Sequence, residues 1–312
     1  MLRYLTQRLL ESVAVLFLVS AGTYVLLGLM PGDPIDLMIS GNPELTIEDA
    51  QRLRAVYGLD QPILDRYFGW LGQALRGEFG YSRHFSQPAV SVLGDAVWVT
   101  LSVAAPALLL AFAIAIPLGL LAALRGGWLN RGINLAALIS LSLPTFWLAI
   151  VLIYLFAVEL RWLPAGGMGE GLAGRLEHLI LPVSVLSLSI AGVFLRFTRA
   201  AAAEILGQDY VRTAKAKGVA SVGLMLRHVL PNAALPLITL TGLQLGALFS
   251  GTVIVEILFR QLGMGRVLYD AVLGNDFNLA LVALLLTTAA TLLGNLLADL
   301  SHAWLDPRIG LR

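Results

Sequence analysis

Residues 199–231 read RAAAAEILGQDYVRTAKAKGVASVGLMLRHVLP. This stretch is the least lipid-compatible part of a chain that is otherwise apolar from Ala96 almost to its end. It carries both lysines of the protein, Lys215 and Lys217, together with Arg199, Arg212 and Arg227. Its composition predicts two short helices. Ala200–Lys217 is rich in strong helix formers, and Gly218 supplies a C-terminal stop. A second helix, about Ser221–His228, ends before Pro231, which lacks the N–H to continue it. Tyr210, Ala214 and Gly218 fall at i, i+4 and i+8, so one face offers small residues to another protein. The plain alternative is a loop made basic by membrane topology alone. These residues by themselves leave both readings open.

Of 312 residues, 58% are hydrophobic and 13% charged, against about 45–50% and about 25% in a soluble domain. An all-α integral membrane protein is therefore expected. A net charge of +1 gives no footing for nucleic acid. With zero cysteines, disulfides, thiolate nucleophiles and Cys-ligated metals are excluded. The four histidines are scattered, so no metal site is expected. Lys215 and Lys217 follow no glycine pattern of a phosphate-binding loop, so no ATP is expected to bind here that way.

Leu9–Met30 is an apolar run of about 22 residues, long enough to cross a bilayer and too long for a cleaved leader. Residues 31–95 form a polar segment. Pro31-Gly32-Asp33-Pro34 breaks the first helix, and Thr46-Ile47-Glu48-Asp49 has the form of a capping box opening a helix to about Tyr57. Gly58–Pro62 turns the chain, and Ile63, Tyr67, Leu71 and Leu75 give the next helix one apolar face. Five more spans are expected, at about Ala96–Leu124, Ile133–Val158, Leu179–Leu195, Ala233–Val255 and Leu279–Ala298. Pro106, Pro117, Pro144, Pro182 and Pro236 fall inside them, which implies a bundle whose neighbours satisfy the freed carbonyls. The expected parts are a membrane helix over 1–30, an outer helical domain over 31–95, a five-helix core over 96–301 and a tail over 302–312.

Lysine and arginine orient the chain. With the N-terminus inside, the inner segments hold Arg3, Arg8, Arg125, Arg131, Arg196, Arg199, Arg212, Lys215, Lys217, Arg227, Arg308 and Arg312. Those are twelve of the 21 basic residues. The short outer loops hold Arg161, Arg175, Arg260 and Arg266, and the rest lie in the large outer segment, where the rule carries little weight. Both termini and the 199–231 loop are thus expected in the cytoplasm.

Spans two to six, as drawn, contain no Asp, Glu, Lys, Arg or His. Proton- or voltage-driven machines commonly keep such groups where they couple, so ion-driven transport is disfavoured. No Gly-x-Ser-x-Gly occurs and no span pairs a serine with a histidine, which disfavours an intramembrane protease. Gln244, Ser250, Thr252 and Asn295 are the candidates for lining a path, although such groups more often join helices. What remains is a passive pore or scaffold, or a transporter moved by a cytoplasmic partner through the basic loop.

Several ordered motifs bear on that choice. PGDP (31–34), YGLDQP (57–62) and RGEFGYS (76–82) come first, followed by PTFW (144–147), WLPA (162–165) and Leu181-Pro182. DYVRTAKAKG (209–218) and RHVLPNAALP (227–236) then place Gly218 13 residues before Pro231, and Asp306-Pro307-Arg308 closes the set. Over essentially its full length the chain resembles a permease subunit of the dipeptide, oligopeptide and nickel class of ABC importers. The resemblance implies the six-helix type I importer permease fold and location in the bacterial inner membrane. It also implies a homologous second permease in a heterodimer, two ATP-binding subunits holding ATP and magnesium, and an external substrate-binding protein. No cofactor and no catalysis are expected on this chain. By position, Asp209, Tyr210, Arg212, Ala214, Lys215, Ala216, Lys217 and Gly218 would form the helix that docks on an ATPase, with Arg125, Gly126 and Arg131 as a secondary contact. Leu262 and Asn278 stand where the family often has proline. Cargo could be a dipeptide, a longer peptide, glutathione, an opine or a metal chelate.

Overall fold

The computed structural model describes residues 2–29, 48, 49, 52 and 60–305, with backbone alone at 2, 3, 235, 245–251 and 302–305. The readings at Pro31–Pro34 and Asp306–Arg308, and most of the helix expected from Thr46 to Tyr57, lie outside these residues. The chain divides into two compact units, Met1–Val97 with Arg266–Ala289, and Trp98–Gly265 with Ala290–Arg312.

In the first unit, α1 (Leu2–Gly28) is an apolar helix of which only 6% of the spanning window is buried within the chain. So small a share leaves its sides for lipid or for other helices. α2 (Ile63–Ala74) lies on it through an aromatic cluster. Tyr67 and Ser20 share a buried hydrogen bond of 2.8 Å between hydroxyls, and the Tyr24 ring meets Tyr67 edge-on at 5.6 Å. Trp70 completes the buried face, whereas Leu75 is exposed because α2 has already ended.

The segment expected to lie outside is not wholly helical. Strands β1 (Tyr81–Ser82) and β2 (Gln87–Pro88) pair antiparallel, Tyr81 opposite Pro88, before α3 (Ala89–Leu124) begins. Asp276, just before α12 (Phe277–Leu305), holds this hairpin. Its Oδ2 accepts from Ser82 Oγ at 2.6 Å and from the His84 N–H at 2.9 Å, while Oδ1 accepts from the Leu279 N–H at 3.4 Å. Arg83 Nη2 adds a bond to the Gly274 carbonyl on the same turn. Asn278 rests against Gly80, leaving no room for a side chain there.

The second unit is a helix bundle. α4 (Gly127–Ser142), α5 (Thr145–Leu152), α6 (Gly171–Leu206) and α9 (Leu230–Gly251) pack with α3 around Val103, Ala107, Val185, Phe194, Leu237 and Phe259. The Phe112 and Phe194 rings meet edge-on at 4.8 Å. α9 meets the later half of α12 at Gly242. A Cβ there would meet Gly294 O at 3.1 Å and run into Ala298, so only glycine allows the crossing.

Among the described residues four helices are long and apolar enough to cross a membrane, and the number is six if each of two bent pairs is one span. The expected span Ile133–Val158 is one of those pairs. Its halves, Gly127–Ser142 and Thr145–Glu159, meet at 100°. Pro144 is the cause, since its ring drives the preceding Leu143 out of the helical region to φ −79°, ψ 122°. Pro106, Pro117, Pro182 and Pro236 stay inside helices.

The 199–231 stretch also differs from expectation. Arg199–Leu206 continues α6, and a break at Gly207-Gln208 precedes α7 (Asp209–Ala216). Pro231 does not end a helix. Ser221–Leu224 (α8) passes through a π-helical turn, Met225–Val229, directly into α9. The wider turn falls directly before the proline, where its missing N–H and its ring would otherwise disturb the preceding α-helical turn.

Asp276→Ala is expected to leave the Ser82 hydroxyl and two amide donors without their acceptor, destabilising the first unit by about 1–3 kcal/mol. Thermal unfolding in detergent should show a lower midpoint, with Asp276→Asn affected less.

Candidate functional site

α7 is short; its N-cap Gln208 makes no side-chain capping bond, and its C-terminal end is the fixed one. Asp209 in its first turn and Lys215 in its last place charges that suit the helix dipole. At the C-terminus the Gly218 N–H bonds to Lys215 O at 3.0 Å, and the Val219 N–H bonds to Ala214 O at 3.2 Å. Together with the left-handed Gly218, φ +81°, this is the Schellman arrangement, in which the last carbonyls find donors. The usual apolar contact is present. Val211, Ala214 and Leu224 are buried together, with Ile205, Leu206 and Val219 packed around them.

That packing corrects the expected docking face. Ala214, only 8% exposed, turns toward its own chain and onto Leu224 rather than outward with Tyr210. The reason is the pair Val211 and Ala214, whose i, i+3 spacing makes the apolar stripe of this helix. Asp209, Tyr210, Arg212, Thr213, Lys215, Ala216, Lys217 and Gly218 are all exposed. Arg212 and Asp209 approach to 3.5 Å with side chains 72% and 97% exposed. Such a pair is worth little. The presented surface is therefore basic with one aromatic, held by a buried inner face. Arg125, in the turn from α3 into α4, and Arg131, on α4, are exposed on separate elements.

The path candidates are dispersed. Gln244 and Asn295 are half-buried, each within two residues of the close crossing at Gly242 and Gly294. Thr252 is fully buried, and its hydroxyl has no hydrogen-bond partner among the described residues. Ser250 falls where only the backbone is described.

One buried acid went unread in the sequence because span five was drawn to end at Val255. α10 (Val253–Leu258) continues past it and buries Glu256 completely. Thr100 Oγ1 of α3 donates to Glu256 Oε1 at 2.6 Å and accepts the Met264 N–H at 2.8 Å. Gly263 is required by this contact, because a Cβ there would lie 2.6 Å from Thr100 Oγ1 and run into the carboxylate. Gln261 Nε2 donates to Gly167 O at 2.6 Å, tying the same segment to the loop after α5. The signal available in the sequence was a lone acid inside the apolar run Val253–Phe259.

The family model described as binding-protein-dependent transport system inner membrane component matches residues 115–311, and its N-terminal companion matches 1–105. A protein of Brucella suis named as a peptide permease is 38% identical over 99% of each chain. The glutathione transport system permease protein GsiC of Escherichia coli is 35% identical, again over 99% of each. A chain of the MetNI methionine ABC transporter, solved in inward-facing conformations, superimposes with a TM-score of 0.60 at 20% identity. The match covers 71% of this chain and 99% of that one. At that identity the likeness supports the fold alone.

Ala214→Trp is expected to unseat α7 from Leu224, costing about 1–3 kcal/mol as overpacking of a filled contact. Proteolysis at the 207–220 loop should accelerate while α1 and the outer domain stay intact. Glu256→Ala should lower the thermal midpoint more than Glu256→Gln, which keeps an acceptor for Thr100.

Proposed function

The chain belongs to the family of inner membrane components of binding-protein-dependent transport systems, and we propose that α7 is where an ATP-hydrolysing partner moves it. It is a multi-pass permease component of an ABC importer and not an enzyme. Transport by such a component needs a path open first to one side and then to the other. In our reading ATP and magnesium are held by two ATP-binding subunits. A homologous second permease completes the path, and an external binding protein delivers cargo. Both termini lie in the cytoplasm, as the lysine and arginine distribution favours.

One observation carries this reading: α7 is a capped helix whose inner face is buried in its own chain and whose outer face is free. A loop that only attracted lipid headgroups would need the charges and not the cap. Tyr210 and Arg212 project from the outer face as the docking contacts, with Lys215 and Lys217 at its C-terminal end. Arg125 and Arg131 form the secondary contact. Gln244 and Asn295, with Ser250 and Thr252, are the proposed path residues. Thr252 would have to leave its buried position to meet cargo. The names of the relatives favour short peptides, including glutathione, as the class of cargo, and they favour a driven importer over a passive channel or scaffold.

Tyr210→Ala with Arg212→Glu is expected to lower co-purification of the ATP-binding subunits by about 5–150-fold, the range of a 1–3 kcal/mol interface loss. Peptide uptake should fall with it, while membrane insertion stays normal. Undiminished uptake and retention would refute the docking assignment. Reporter fusions after Arg83 and after Lys217 check the orientation, with an outside signal expected at the first and an inside signal at the second.

A further inference from the structure

We propose that the cleft between α4 and α6 is a phosphate-binding site for the headgroup of an anionic phospholipid, separate from the docking face of α7. The cleft has a volume of about 410 Å³ and is lined by Asn134, Val193, Arg196, Phe197, Arg199 and Ala200. Arg196 and Arg199 lie one turn apart on α6, so both guanidiniums can address one group. Arg199 is already aimed. Its Nε donates to Asn130 Oδ1 at 2.8 Å, and the same oxygen accepts Asn134 Nδ2 at 2.6 Å. That bond uses Nε and leaves both Nη groups of the planar fork to donate to a phosphate. No acidic residue competes for them from the adjacent chain, since 125–135 and 190–203 contain no Asp or Glu.

The position selects a lipid over a free anion. Arg196 is the first charged residue after the apolar run Leu179–Leu195 of α6. Leu179–Leu195 extends about 26 Å at 1.5 Å per residue, close to the hydrocarbon thickness. The guanidiniums therefore stand at headgroup depth. Phe197 is 48% exposed beside the cleft and Val193 forms its apolar wall, surfaces suited to the first carbons of an acyl chain. Trp128, at the start of α4 two residues before Asn130, is 83% exposed. Tryptophan at the end of an apolar helix belongs to the interfacial belt. Basic pockets between membrane helices hold anionic headgroups in this way.

Native mass spectrometry of the full chain, purified with its partner subunits, tests the site with phosphatidylglycerol and phosphatidylcholine as probes. Phosphatidylglycerol should be retained in preference. Each of Arg196→Gln and Arg199→Gln should weaken that retention about 5-fold, and the two together about 30-fold. Arg175→Gln, at the opposite end of α6, should leave it unchanged. Millimolar inorganic phosphate should not displace the lipid. Equal retention of both lipids by the native protein overturns the proposal, as does a double variant that binds like the parent. Displacement by inorganic phosphate overturns it in favour of a free-anion site. Should the double variant fail to assemble, Arg199→Lys decides. Lysine keeps the charge but loses the fork and the bond to Asn130, so about 5-fold weaker retention is expected, and unchanged retention counts against the site.

Discussion

A short helix outside the bilayer transmits force only if it is fastened to the chain that carries it. The seating of Val211 and Ala214 on Leu224 supplies that fastening for α7. Eight residues make a helix too short to persist alone in water. Its stability comes from this buried face and from the Gly218 and Val219 donors that close its last turn. The basic outer surface then has a defined shape to present. Without the inner contact the same charges would sit on a loop.

Inside the apolar part of the chain the governing constraint is different. A backbone group that loses its helical partner in lipid has no water to turn to. Two helix irregularities fall between elements that pack together, although Ser142 and Pro144 themselves are exposed within this chain. The Pro144 bend lies between α4 and α5, both packed against α6, and the π-helical turn before Pro231 packs against α6 and α9. Glu256 follows the same rule. Its carboxylate is admitted to a fully buried position with Thr100 and the Gly263 notch arranged around it. A carboxylate without such partners would be costly there.

The membrane class, the helical content, the exposed basic segment and the stop at Gly218 were all legible in the sequence, because each rests on composition or on one residue's backbone preference. What was not legible depended on tertiary neighbours. Tyr210, Ala214 and Gly218 were placed on one outward face by spacing alone, yet the stripe that decides which way α7 turns is completed by Leu224, ten residues beyond Ala214. Proline position was visible but its effect was not: Pro144 folds the chain back by 100°, while Pro182 is absorbed within α6. The β1–β2 pair is only two residues deep and has no periodicity to detect. Glu256 was passed over because a boundary drawn by hydropathy stopped one residue early.

The unbroken passage from α8 through the π-turn into α9 has a mechanical meaning. Only Lys217, Gly218, Val219 and Ala220 separate the end of α7 from this rod, and Leu224 belongs to the rod itself. From Ser221 to Ala234 it extends about 20 Å before its first large bend. A displacement of α7 is thus not dissipated in a slack connector. In the proposed docking role it would be passed to this rod, whose first large bend, 53°, falls between Ala234 and Pro236. The placement of that bend would set how far along α9 such a displacement carries.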